Sequence, residues 1–144
     1  MQSHTTAPQG EHNRNLLNDT ADYPWFPVNY NAYQPDKAVV KELQSALTTH
    51  EILAFGGTWC GDTRYLLPKF YKVMDALPQP PKVTLILVDN DKKSGTGIEA
   101  NYNIMYVPTF IVLLDGKEIG RVVETVGTNI EQELLDIVKP PTVK

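Results

Sequence analysis

Gly56-Gly57-Thr58-Trp59-Cys60-Gly61-Asp62-Thr63-Arg64 is the stretch that decides the fold. It follows the short apolar run Ile52-Leu53-Ala54-Phe55 and precedes a segment in which Leu66, Leu67, Phe70, Val73, Met74 and Leu77 recur at helical spacing. A run of that length closed by a glycine pair predicts a buried strand that passes directly into a helix. Cys60, the only cysteine in the 144 residues, therefore stands at a strand-to-helix junction. Pro68 falls inside the helix and is expected to kink it.

Working outward, residues 83–88 (Val-Thr-Leu-Ile-Leu-Val) are almost continuously β-branched or aliphatic, the pattern of a central strand covered on both faces. With the preceding strand and helix they predict a βαβ unit. Upstream, Val39, Val40, Leu43, Ala46 and Leu47 mark an amphipathic helix from Asp36 to about Thr49, entered through Pro35. Downstream, a short helix is expected at 98–102. Val107-Pro108 then precedes the apolar run 109–114, and Asp115-Gly116 leads to a second run at 119–123, so a hairpin with its turn at 115–117 is predicted. Thr128-x-x-Glu131 reads as a capping box opening a last helix through Ile130, Leu134, Leu135 and Val138, stopped by Pro140-Pro141.

Residues 1–35 are polar and rich in Asn and Pro, with no sustained period of 2.0 or 3.6, and read as an extension. Tyr23, Trp25, Phe26, Tyr30 and Tyr33 carry more aromatic surface than a solvated linker, so its second half is expected to lie against the domain; a partner-binding arm is the alternative. The organisation is thus an extension (1–35), one domain (36–139) and a tail (140–144).

Composition agrees with one globular domain. Hydrophobic residues make up 42% and charged residues 21%, and a chain of this length buries roughly two thirds of its unfolded surface. The net charge of −4 carries no basic block, and Lys92-Lys93 lie beside Asp89 and Asp91, which argues against nucleic acid. No apolar run approaches the roughly 20 residues of a membrane span. The first eight residues lack the basic start and apolar stretch of a signal peptide, and the compartment stays open between the cytoplasm and, if a leader has been removed, the periplasm. His4, His12 and His50 are scattered, and no metal site is expected.

Taken in order, helix, strand, Trp-Cys loop, helix, strand, helix, x-Pro-Thr, hairpin and helix resemble the thioredoxin family over about residues 38–138. Trp59-Cys60-Gly61, Pro68, Asp89, Val107-Pro108-Thr109, Gly116 and Gly127 sit at the family's separations. Within it the chain is similar to bacterial thioredoxin-like proteins with a Gly-x-Trp-Cys-Gly-Asp loop and a Pro-x-Phe-Tyr helix, matched by residues 57–62 and 68–71. The resemblance implies an α/β thioredoxin fold, with a central mixed sheet flanked by helices on both faces. It also implies a cis Val107-Pro108 peptide beside the nucleophile, with Val107 and Thr109 shaping a substrate groove.

The departures from the family agree with one another. Thr63 stands where the resolving cysteine is expected, Ala54 replaces a buried Asp, and Leu85 replaces a partly buried Lys. A chain without the resolving thiol has less use for the carboxylate that assists its deprotonation. Gly56 replaces a family tryptophan, which is expected to leave the site more open. An intramolecular disulfide cycle is impossible.

A lone cysteine is ordinarily an inert small hydrophobe, but its company here points to a reactive thiol. The thiolate is the attacking species, and free N–H groups of residues 62 to 64 at a helix start would favour it. Thr63 has two readings, hydroxyl donor to sulfur or helix cap; Arg64 adds positive field and Asp62 opposes it. The expected activity is monothiol exchange with protein or small-molecule disulfides, catalysed by Cys60, Thr63 and Pro108 within a loop of Trp59, Gly61, Asp62 and Arg64. It needs no bound cofactor but requires an external thiol such as glutathione or another thioredoxin. A disulfide-linked dimer through Cys60 is a possible product. Two other readings stand beside it: a redox-inactive module that binds peptide or protein in the same groove, and a monothiol-glutaredoxin-like protein linked to glutathione, with an iron–sulfur cluster bridging two chains.

Overall fold

The computed structural model describes residues 7–139. The tail and the prolines expected to stop the last helix lie outside those residues, as do residues 1–6. Five strands form one sheet: β1 (Gly10–His12), β2 (Glu51–Gly56), β3 (Lys82–Leu87), β4 (Thr109–Leu114) and β5 (Lys117–Val123), in the order β1-β3-β2-β4-β5. β2 and β3 run parallel, paired from Glu51 with Lys82 to Gly56 with Leu87. β4 is antiparallel to β2, β5 to β4 and β1 to β3. The helices are α1 (Trp25–Ala32), α2 (Lys37–Ala46), α3 (Gly61–Asp75), α4 (Ile98–Asn101) and α5 (Ile130–Val138).

Strand alternation divides the core. Ile52 and Ala54 of β2, Leu85 and Leu87 of β3, and Phe110 and Val112 of β4 join one cluster with Leu43 and Leu47, with Leu66, Phe70 and Val73 of α3, and with Leu134 of α5. Their neighbours Leu53, Phe55, Ile86, Ile111 and Leu113 turn to the other side, where Val88 and Val107 join them and Trp59, Cys60, Ile98 of α4, Tyr102 and Ile104 pack against them. Helices thus flank both faces, unequally: among the described residues α4 is the only one on the second. The mixed sheet so flanked is the thioredoxin fold.

The N-terminal segment departs from the non-periodic extension expected of it. It supplies edge strand β1, a short 3-10 helix at Arg14–Asn18, and α1. The pattern was hidden because three residues are too few to show alternation. What holds β1 is the exposed edge of β3, together with Gln9 Nε2, which donates to the Asp89 carboxylate at 3.1 Å and to the Lys93 carbonyl at 2.9 Å. Phe26 stacks on Tyr30 at 5.9 Å and meets Tyr71 of α3 at 6.1 Å. Arg14 reaches Asp75 at 2.6 Å and lies 4.3 Å over the Tyr71 ring. Burial pushes the Asp75 carboxyl up, but hydrogen bonds from Arg14 and Tyr30, with the charges of Arg14 and Lys72, hold it below its ordinary value.

Helix starts also differ in detail. Asp36 caps α2 by accepting from the amides of Ala38 and Val39, but α5 is capped by Asn129, which accepts from Gln132 N at 2.8 Å, and the Thr128 capping box does not form. Glu131, 1% exposed, is spent elsewhere. Its carboxylate accepts from the Tyr33 hydroxyl at 2.5 Å and from the Asp36 amide at 2.7 Å, tying the α1–α2 link to α5. Pro68 lies inside an unbroken α3. Proline cannot donate to the carbonyl four residues back, and that oxygen, on Arg64, accepts instead from Asn29 Nδ2 of α1 at 2.9 Å.

Candidate active site

β2 delivers the chain to Gly56, and the loop of residues 57–60 turns it into α3 with Cys60 as the N-cap, at φ −92° and ψ 127°. The turn is closed by Cys60 N donating to the Gly57 carbonyl at 2.9 Å and Arg64 N donating to the Cys60 carbonyl at 3.0 Å. Two close approaches explain the glycine pair. A side-chain carbon on Gly57 would stand 2.5 Å from the Trp59 indole, and one on Gly56 would stand 2.9 Å from Cγ2 of Thr63. Trp59 is anchored by its Nε1–H, which donates to the Val88 carbonyl at 2.9 Å.

Cys60 is half-buried. Its Sγ–H donates to the Val107 carbonyl at 3.4 Å, and the Val107–Pro108 peptide, which is cis, lies beside it. The two loops meet because β2 and β4 are neighbours, with Phe55 opposite Thr109. Val107 and Thr109 are buried, and the Thr109 hydroxyl donates to the Tyr106 carbonyl at 2.7 Å. Just before them in the chain, the side chains of Met105 and Tyr106 are exposed.

Three expectations need correction. Thr63 is fully buried, and its hydroxyl oxygen accepts from Gly57 N at 3.2 Å instead of serving the sulfur. Depth explains this, since the side chain points under the loop into the space left by Gly56. For the same reason Gly56 does not open the site. The amides at the start of α3 make no hydrogen bond to Sγ either, because the sulfur faces the Val107 carbonyl. Arg64 sends Nε back to the Thr58 carbonyl at 2.7 Å, bracing the loop, while Asp62 and Gly61 are exposed. Ala54 and Leu85 face each other across β2 and β3 inside the apolar core, so neither a carboxylate nor an amine lies beneath the loop at those positions.

The sequence reading missed the supports of this site: Asn29 on the Arg64 carbonyl and Val88 under the Trp59 indole. Both contacts span long separations in the chain and involve one backbone oxygen each, so no periodicity or motif announces them. Among the described residues no group of His, Cys, Asp and Glu side chains is placed to hold a metal, and no helix is long and apolar enough to cross a membrane.

A cysteine capping a helix after a parallel strand, beside a cis proline that opens the adjacent antiparallel strand, defines a thioredoxin-type site. The thioredoxin family profile matches residues 34–139, and the chain belongs to that family. It is 37% identical over 83 residues to the TPR repeat-containing thioredoxin TDX of Arabidopsis thaliana, covering 58% of this chain and 20% of that protein. It is 32% identical over 88 residues to a thioredoxin of Chlamydia trachomatis, covering 60% of this chain and 78% of the relative. Thus the chain spans only about a fifth of the first relative. Among solved structures, a protein of unknown function from Pseudomonas aeruginosa shares the fold at a TM-score of 0.60 and 16% identity, covering 81% of this chain and 72% of that one.

Proposed function

We propose that this protein is a monothiol thiol-disulfide oxidoreductase in which Cys60 is the nucleophile. The observation that carries the reading is the half-buried Sγ held 3.4 Å from the backbone of Val107, next to Pro108, in a family whose chemistry is thiol exchange. The Cys60 thiolate attacks one sulfur of a disulfide, forming a mixed disulfide and expelling the other sulfur as a thiolate, which takes up a proton. With one cysteine in the chain, thiol from outside must cleave the mixed disulfide, so that the retained half is released and Cys60 is restored. Where that thiol is lacking, the Cys60 thiolate of a second copy attacks Sγ of the mixed disulfide, expelling the substrate half as a thiol and joining the two copies through Cys60. Protein and small-molecule disulfides are the expected substrates.

The test is intact-mass analysis of the native protein with a small disulfide. One adduct per chain, removed by added thiol and absent in Cys60→Ser, is expected together with catalytic turnover in excess thiol. An adduct that forms only after unfolding would sink the proposal. One observation favours a second reading, a binding module of the same groove: the group facing Sγ is a carbonyl acceptor, which suits the protonated thiol and offers a thiolate no donor. A Cys60→Ala variant that keeps the same clients would decide for it.

A further inference from the structure

A cleft of about 320 Å³ lies where the N-terminal segment crosses the Trp-Cys loop, lined by Pro8, Asp22, Tyr23, Trp59, Arg64 and Asn90. It is separate from the contact between Cys60 and Val107, and half of its wall comes from outside the residues matched by the family profile. Its charges are unspent. Arg64 uses Nε on the Thr58 carbonyl, and among the described residues its two terminal amino groups have no hydrogen-bond acceptor and it makes no ion pair. The Asp22 carboxylate likewise has no partner among those residues, although its backbone amide is held by Asp19. Trp59 has committed its only donor to Val88 and so offers the cleft an apolar surface, as does the Tyr23 ring.

A guanidinium and a carboxylate that share a cleft without pairing, beside an amide and two aromatic surfaces, complement a zwitterion. The guanidinium fork suits a carboxylate, and Asp22 suits an ammonium. We propose that this cleft binds the α-amino-acid head of a small thiol, and that it thereby selects the external thiol that resolves Cys60. The inference rests on the redox reading above for its second part. Thr58 and Trp59, which form the cleft wall, lead directly into Cys60 along the loop. The balanced sequence has one thiol molecule attack Sγ of the mixed disulfide, expelling the substrate half as a thiol and leaving that molecule on Cys60. A second molecule then attacks the bound thiol's sulfur, releasing Cys60 and the small disulfide; two electrons pass from two thiols to one substrate disulfide.

Binding is separated from exchange by using thioethers, which cannot exchange. S-methylglutathione and S-methylcysteine, which carry the head, should each shift the Trp59 indole N–H resonance on titration, whereas 2-hydroxyethyl methyl sulfide, which lacks it, should not. Arg64→Gln and Asp22→Asn should each weaken binding of S-methylglutathione by about tenfold, the scale of a lost charge-assisted hydrogen bond. Asp22 is exposed on a loop, so its variant keeps the test valid if Arg64→Gln disturbs the loop. No binding of either head-bearing thioether, or binding unmoved by both substitutions, overturns the cleft. If dithiothreitol drives turnover through Cys60 while neither thioether binds, the cleft falls and the redox reading stands. If both bind with the expected charge dependence and no thiol drives turnover, the cleft stands as a ligand site and the redox reading falls.

Discussion

The two faces of the sheet do different work. One is covered by α1, α2, α3 and α5, with Phe70, Phe110, Leu43 and Leu66 almost or wholly removed from water. The other is covered by α4 and by loops, and its outer residues, Trp59, Cys60, Tyr102 and Ile104, are only half-buried. Burial of an aliphatic or aromatic side chain stabilises by about 1.5–3 kcal/mol, so the thick face carries most of the folding free energy. The thin face is where a half-buried thiol can stay within reach of solvent. The division teaches that the site occupies the side of the sheet on which the fold depends least.

The largest expected effect tests that division directly. Phe110 is fully buried and its ring centroid lies 4.5 Å from that of Phe70. Phe110→Ala should cost about 3–5 kcal/mol through lost transfer and the cavity left behind, read as a fall in the urea midpoint at unchanged slope. Cys60 in the remaining native protein should be alkylated at the wild-type rate. A slowed alkylation in fully folded Phe110→Ala would mean that the faces are coupled and break the comparison.

On the thin face the corresponding change is small in volume and local in effect. Gly57→Ala places a methyl 2.5 Å from the indole atoms of Trp59, which must give way and release its bond to Val88. Overpacking of this kind costs about 1–3 kcal/mol. The expected signature is a modest loss of stability with a marked change in Cys60 alkylation and in the Trp59 indole N–H resonance, the reverse of the Phe110 pattern. Equal alkylation of variant and wild type would show that Trp59 does not shape access to the thiol.

How much of this was legible follows the same line. The central strands and the helices of the thick face could be read because Val83 to Val88, covered on both faces, and the Leu66–Phe70–Val73 spacing repeat one physical demand many times. Cys60 at its junction, and Pro108 across from it, could be read because each is a single residue type with a single local meaning. Thr63 misled because its position in the motif says nothing about depth, and the vacancy that draws it inward is created seven residues earlier by Gly56. The aromatic residues of the N-terminal segment pointed to packing, but the strand and helices of residues 10–32 could not be read because their order comes from partners elsewhere: a free strand edge on β3, a carbonyl on Arg64 released by Pro68, and the carboxylate of Asp75. Glu131 shows the same limit, since a buried acid that holds a backbone amide 95 positions away looks in sequence like an ordinary helix-capping acid.

The outermost layer of the thick face should give the smallest effect, and one that depends on pH. Asp75 accepts from Arg14 at 2.6 Å and from the Tyr30 hydroxyl at 2.6 Å, joining the 3-10 helix and α1 to the end of α3. Its carboxyl is held below the ordinary value of 3.8 in the folded protein. A depressed folded value means that the unfolded chain binds its proton first as the pH falls, so stability is fully present above 3.8 and is lost below it. The pair is partly open to water, with side chains 33% and 38% exposed, so screening keeps its contribution small. Thermal unfolding followed from about pH 5 downward should show an acid-side slope below pH 4 that Asp75→Asn flattens. At neutral pH the variant should lose a little stability in the N-terminal segment, seen as faster amide exchange in α1 with β2 and β4 unchanged. If exchange quickened equally in α1 and in the central strands, the segment would be part of the cooperative core, and the thick face would be one unit instead of a core with an added layer.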